Sequence, residues 1–328
     1  MSELSRRSFV NVAAGAAIAA VGSASAGSAL AGSAVIGASA NASAASARAK
    51  PNTGARKLRK AVMIGMCGDG ANVTEKFKIL KDAGFDGVEM DSPTSIPMSD
   101  ITKAIEATGL KVHGMVDSVH WKYHLNNPEE KVRQMGFDGL VQCLRDAHTC
   151  GSTSILLVPA VVNEQMPYDK AWEWSVEQIK KALPIAEELK VQIAVENVWN
   201  NFLLSPMEAA RYVDEFNSPW VKWHFDIGNV ANYGWADQWI HILGDRLAKL
   251  HIKEFSRKKR NDEGLWKGFA VDLMEGDNNW PAIMKALDDV GYTGGEGGWA
   301  TIEMGGGDVK RMQQLSEMLD KIIASQVG

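Results

Sequence analysis

From residue 60 onward the chain alternates short β-branched runs with longer amphipathic ones, and the alternation repeats eight times. The runs expected as strands are 61–67, 87–91, 111–116, 154–159, 192–197, 222–226, 248–253 and 300–304, each followed by a helical stretch. Glycines mark the return to the next strand at Gly84, Gly109, Gly151 and Gly291, where a helix C-cap is expected. Ser205-Pro206-Met207-Glu208 and Asn127-Pro128-Glu129-Glu130 read as helix starts. Eight units in about 270 residues are the size of a closed (β/α)8 barrel of the α/β class. An open doubly wound sheet would carry a glycine-rich phosphate loop after its first strand, and Gly65-Met66-Cys67-Gly68-Asp69-Gly70 lacks the Gly-x-Gly-x-x-Gly spacing.

A chain of 328 residues, 45% hydrophobic, supports one large core, so a single barrel over 54–328 is expected. The formal charge of −5 includes +3 from residues 1–50, where Arg6, Arg7, Arg48 and Lys50 face Glu3, which leaves −8 on the remainder. So acidic a body is a poor partner for nucleic acid. Of the three cysteines, Cys143 and Cys150 stand two helical turns apart, about 10 Å along the axis, too far for a disulfide. Buried free thiols are expected.

Residues 5–10, Ser-Arg-Arg-Ser-Phe-Val, precede a mildly apolar run rich in Ala, Gly and Ser, and together they resemble a twin-arginine export signal. Several Ala-x-Ala sites between Ala38 and Ala49 suit cleavage, so 1–53 is expected to be a signal peptide and low-complexity linker. The resemblance implies the twin-arginine machinery as partner and a periplasmic or extracellular destination. No stable membrane span is expected after cleavage, whereas an uncleaved signal would leave an anchor.

In a barrel of this kind the site lies where the strands end. The last four strand candidates all finish in chemistry-bearing side chains: Glu196 in Val195-Glu196-Asn197, Asp226 in His224-Phe225-Asp226, His251 in Leu250-His251-Ile252, and Glu303 in Thr301-Ile302-Glu303. One such residue is commonly a cap or a core hydrogen-bonder; four on successive strands point to a divalent-metal site. Three oxygens and one nitrogen suit Mn, Mg or Co, with Zn as an alternative. Folding before export would favour Mn over tighter-binding competitors.

The segments Ala194-Val195-Glu196-Asn197-Val198-Trp199-Asn200, His224-Phe225-Asp226-Ile227-Gly228-Asn229, Leu250-His251-Ile252-Lys253-Glu254-Phe255 and Ala300-Thr301-Ile302-Glu303 resemble the xylose-isomerase-like superfamily of sugar isomerases and epimerases. The resemblance runs from about residue 60 to the C-terminus. It implies Glu196, Asp226, His251 and Glu303 as metal ligands, and Glu196 and Glu303 as the catalytic pair that exchanges a proton on opposite faces of a bound ketose through a cis-enediolate. It also matches Arg257 to an arginine that contacts substrate, and sets Asn229 where ketose epimerases carry a substrate-binding histidine. That departure puts 3-epimerisation of a free ketose in doubt. Subunit pairing is common in the family, which leaves a homo-oligomer open.

His120, after the third strand, and Trp199 are further candidates for binding sugar, with core packing and closure of the barrel mouth as the plain alternatives. Trp235 and Trp266 fall in mouth loops like Trp199. Glu89 and Asp91 share a face of the second strand. His224, two before Asp226, is expected to face the interior in a hydrogen-bonding role. The leading expectation is a metal-dependent isomerase or epimerase of a sugar or keto-sugar. A lyase or hydratase acting on keto-glycosides, and a non-catalytic sugar-binding barrel, are the alternatives. Export favours an unphosphorylated substrate, because phosphorylated sugars are cytoplasmic metabolites.

Overall fold

The computed structural model describes residues 50–327. Eight parallel strands, β1 (Leu58–Met63), β2 (Gly87–Ser92), β3 (Lys111–Asp117), β4 (Ser154–Leu157), β5 (Gln192–Glu196), β6 (Val221–Asp226), β7 (Leu247–Ile252) and β8 (Gly298–Ile302), close into one barrel in chain order. Ten helices lie between and after them: α1 (Val73–Asp82), α2 (Met98–Thr108), α3 (Glu130–Thr149), α4 (Tyr168–Leu189), α5 (Pro206–Asp214), α6 (Ile227–Ala231), α7 (Ala236–Leu243), α8 (Arg257–Glu263), α9 (Trp280–Asp289) and α10 (Val309–Ala324). A parallel strand here is covered on both sides, which is why Ser-Ile-Leu-Leu of β4 is buried throughout.

Two strands sit lower than the apolar pattern indicates. β1 begins at Leu58, and Ile64–Met66 is a 3-10 turn instead of strand. Barrel closure sets this offset: β1 pairs with β8 from Leu58 opposite Gly298 to Val62 opposite Ile302, which draws Arg59 and Lys60 into the sheet and begins β8 at Gly298. Helix ends follow the sequence more closely. Gly84, Gly109, Gly151 and Gly291 all have φ between 67° and 92°, the left-handed region that costs glycine least. Ser205 caps α5 by accepting from the Glu208 amide at 3.2 Å, with Pro206 in the first turn. α3 starts at Glu130, later than Pro128, because Asn127 accepts from the Glu129 amide and turns the chain first.

Cys67, Cys143 and Cys150 are free and buried. Among the described residues no helix is long and apolar enough to cross a membrane. The expected export signal, and all but the last four residues of the expected linker, lie outside the described residues.

Candidate metal centre

The strand ends bring four side chains together. Glu196 closes β5, Asp226 closes β6, His251 is the penultimate residue of β7, and Glu303 follows β8 with its amide bonded to the Ile252 carbonyl at 3.1 Å. One ligand atom from each lies within 4.8 Å of all the others. His251 is the hub: its Nδ1 is 3.0 Å from Glu196 Oε1 and 2.8 Å from Glu303 Oε2, and its Nε2 donates to Glu89 Oε2 at 2.7 Å. Glu89 thus reaches in from β2 and is buried, whereas Asp91 is only half-buried.

Local structure fixes each carboxylate. Asp226 is also the N-cap of α6, its Oδ1 accepting from the Asn229 amide at 2.8 Å, so the short helix aims its amides at the ligand. Asn197 ties β5 to β6: its Nδ2 donates to the Asp226 carbonyl at 2.7 Å, and its Oδ1 accepts from the Asp226 amide at 3.0 Å and from Trp223 Nε1 at 3.2 Å. The loop after Glu303 is Gly305-Gly306-Gly307. Its glycines let the β8 loop lie against the β1 loop, with Gly68 N donating to Gly307 O at 2.7 Å and Gly307 N to Met66 O at 3.0 Å. Gly68 therefore serves backbone approach, since a Cβ there would come within 2.8 Å of the Gly307 carbonyl oxygen.

The charge balance is acidic. Burial pushes the Glu196 carboxyl up to about 7, a rise that His251 opposes and that Glu303 and Asp226 add to. Burial alone would depress His251, but Glu303, Glu89 and Glu196 hold it well above the ordinary imidazole range. Lys253, which the sequence reading passed over, places Nζ 2.8 Å from Asp226 Oδ2 and 3.1 Å from Glu303 Oε2. Burial opposes its charge, and Asp226, Glu303 and Glu196 restore it above the usual lysine value. Its signal was alternation, since it stands two residues after His251 on the same strand face. Three convergent carboxylate oxygens and an imidazole nitrogen, in a pocket with more acidic groups than cations, fit a divalent cation.

His224 faces the interior at no exposure, but the expected hydrogen bonding is not seen: neither ring nitrogen has a hydrogen-bond partner among the described residues. It stands with Glu89 and His251 in a second close group, its Nδ1 3.9 Å from Glu89 Oε1. Burial, then the His251 charge, drives it well below the ordinary imidazole range and keeps it neutral.

The other sequence candidates lie around the mouth. His120 is buried, and its Nδ1 accepts from the Val158 amide just past β4 at 3.2 Å. Asn229 donates from Nδ2 to the Asn197 carbonyl at 3.0 Å. The Arg257 guanidinium is turned to the carbonyls of Ala231 at 2.7 Å and Gly234 at 2.8 Å, and lies over the Trp235 ring at 5.3 Å. It thus braces the α6–α7 turn, and among the described residues it makes no hydrogen bond to the carboxylate cluster. Trp199 donates to the Asn229 carbonyl at 2.9 Å and packs on Trp266, Phe269 and Phe255 with centroids 4.8, 5.1 and 5.9 Å away, forming an aromatic wall.

The family model described as Xylose isomerase-like TIM barrel matches residues 77–322. L-ribulose-5-phosphate 3-epimerase of Escherichia coli O1:K1 / APEC is 25% identical over 247 residues, 72% of this chain and 82% of that protein. Among solved structures, 3-keto-D-glucoside 4-epimerase from E. coli superposes with a TM-score of 0.68 at 17% identity, covering 81% of this chain and 99% of that one. The IOLI protein with a binding zinc atom superposes with a TM-score of 0.65 at 16% identity, covering 81% and 98%. With three quarters of its length matched by the family model, the chain belongs to the xylose isomerase-like TIM barrel family.

Proposed function

We propose that this protein is a divalent-metal-dependent epimerase or isomerase of a sugar or keto-sugar, exported by the twin-arginine route to act in the periplasm or outside the cell. The observation that carries the reading is the placement of Glu196 and Glu303 on one imidazole from strands three apart in the barrel, with Asp226 and His251 supplied by the two strands between. The 3-epimerase relative supports a sugar substrate.

A metal held by Glu196, Asp226, His251 and Glu303, with Mn the preferred ion, would supply the polarisation of the substrate carbonyl that makes the neighbouring C–H acidic. The chain's own groups do the rest. One of Glu196 and Glu303 takes the proton beside the carbonyl, giving an enediolate, and the other returns a proton from a different side, which inverts the carbon or moves the carbonyl. Lys253 holds Asp226 and Glu303 in place through its ammonium group. The Trp199 and Trp266 wall offers aromatic faces to the C–H face of a sugar ring, and His120 stands below the same mouth. Asn229 and Arg257 enter as positioning residues, since their polar groups brace backbone on either side of α6.

The exposure of Trp235 (59%) and Trp266 (41%) leaves apolar faces for a second ring, which favours a keto-glycoside as the alternative to a free ketose. With such a substrate the same proton abstraction could end in loss of the glycosidic oxygen, a lyase outcome.

The test is proton exchange. The metal-loaded protein is incubated with a panel of ketoses and keto-glycosides in deuterated water and followed by NMR. Deuterium beside the carbonyl, abolished in Glu196→Gln and Glu303→Gln, is the expected result, and the products separate epimerisation from cleavage. Absence of exchange across the panel, with metal bound, would refute the assignment in favour of a sugar-binding barrel.

A further inference from the structure

The opposite end of the barrel, where the strands begin, holds a cavity of about 600 Å³. Trp299, the second residue of β8, lies across it in space that Gly87 leaves open: a Cβ at Gly87 would come within 2.6 Å of the indole ring. Three nitrogenous groups gather on that ring. The Arg59 guanidinium sits 4.4 Å from its centroid, the His113 imidazole stacks on it at 4.5 Å, and Lys249 Nζ lies 5.7 Å away. Lys111 adds a third cation on the wall, against one carboxylate, the exposed Glu296.

Arg59 and Lys111 are poorly answered from within, while burial lowers the Lys249 ammonium to about 7, with Glu89 opposing the fall and Arg59 adding to it. Among the described residues Arg59, Lys111 and Lys249 make no ion pair. Arg59 donates to the Gly297 carbonyl and Lys249 to the Thr153 hydroxyl, both neutral. Arg59 Nε and His113 Nδ1 are buried with no hydrogen-bond partner, although His113 is 97% buried and its other nitrogen is satisfied by Thr301. A buried donor left unmade, as Arg59 Nε is, is uncommon, and clustered cations repel unless an anion joins them. The indole ring offsets part of this cost for Arg59 and Lys249, and leaves Lys111 without an answering group on it.

We propose that this opening binds a phosphate group, either inorganic phosphate or the phosphate of a small ester, held by Arg59, Lys111 and Lys249. A dianion with several acceptor oxygens answers both the charge and the idle Arg59 Nε–H, and an arginine fork suits a tetrahedral oxyanion. The cavity has room for more than phosphate alone, with Trp299 as an apolar wall for an ester's remainder. The site opens at the strand starts and Glu196 and Glu303 stand at the strand ends, so its occupant stabilises the lower rim and does not touch the proton-transfer pair.

Calorimetric titration of the full chain at low ionic strength, with inorganic phosphate in one arm and glucose 6-phosphate in the other, tests this. One saturable site is expected, weakened about tenfold or more in Arg59→Gln/Lys111→Gln, while titration with Mn is unchanged. Lys111→Gln alone, at an exposed strand start, serves if the double variant does not fold, and weakening there also supports the site. Preference for the ester identifies a phosphorylated metabolite as the occupant, and equal or better binding of inorganic phosphate identifies the free ion. No saturable binding in either arm, or binding that the substitutions leave intact, overturns the proposal.

Discussion

His251 divides its two nitrogens between two tasks. Nδ1 faces the Glu196 and Glu303 oxygens, while Nε2 is held by Glu89 at 2.7 Å, which fixes the ring plane and leaves Nδ1 as the nitrogen for a cation. Glu89→Gln removes the charge behind the ring, and calorimetry with Mn should show affinity reduced about tenfold; an unchanged affinity would dismiss Glu89 as an orienting group. Asp117 makes a second prediction. Burial raises its carboxyl from 3.8 to about 7 despite the bond from the Val119 amide at 3.1 Å. The folded state therefore keeps a proton that the unfolded state releases, so the contribution of this carboxyl to stability is full below the unfolded value, falls as pH rises through this window, and is gone above about 7. Asp117→Asn should gain on the wild type between pH 5 and pH 8 by on the order of 3 kcal/mol in urea unfolding, and parallel pH profiles would contradict the shift. The four candidate ligands were legible because strand-end position is a sequence property. Glu89 was a candidate in the sequence, but its contact with His251 was not legible, since a carboxylate on β2 meets an imidazole on β7 only through barrel closure; Lys253 carried only the alternation signal, which a solvent-facing lysine at a strand end shares.

At the level of elements, the strands were legible as apolar runs, but their offsets were not. Pairing of β1 with β8 is decided when the barrel closes, and it overrides the apolar stretch that continues through Ile64 and Met66. The loops above this seam carry Glu303. A Cβ at Gly306 would lie 2.1 Å from the Met66 carbonyl oxygen, a backbone atom that cannot swing aside. Gly306→Ala should therefore cost about 2–3 kcal/mol and weaken Mn binding together, because relief of the clash displaces the Glu303 loop. Loss of stability with undiminished metal affinity would show that the loop and the ligand are uncoupled. Gly109→Ala is the contrast: its added Cβ meets nothing within 4 Å, so only its φ of 67° resists, at about 1 kcal/mol with metal binding unaffected.

For the molecule as a whole, closure depends on more than the sheet. The segment before β1 runs past the end of the chain, and Arg56 joins them. Its Nε bonds both Asp288 oxygens at 3.1 and 2.9 Å, Nη2 lies 2.8 Å from Asp288 Oδ2, and Nη1 donates to the Ile323 and Ser325 carbonyls at 2.7 and 2.6 Å. One side chain thus links the start of the barrel, the end of α9 and the end of α10, and it is nearly buried, at 8% exposure. Asn52 reinforces it by donating to Thr293 Oγ1 at 3.0 Å. Removing Arg56 leaves the half-buried Asp288 with the Thr293 hydroxyl as its remaining side-chain donor, and the last turn of α10 loses the cation that answers its free carbonyl groups. Arg56→Ala should cost about 3 kcal/mol and lower Tm by roughly 6–10 °C. Arg56→Lys should recover only part, because a single ammonium cannot serve a carboxylate and two carbonyls in the same plane. A fall in Tm of less than about 2 °C for the alanine variant would mean that the strand register alone holds the seam, and that the segment before β1 and the end of α10 lie against the barrel without contributing to its closure.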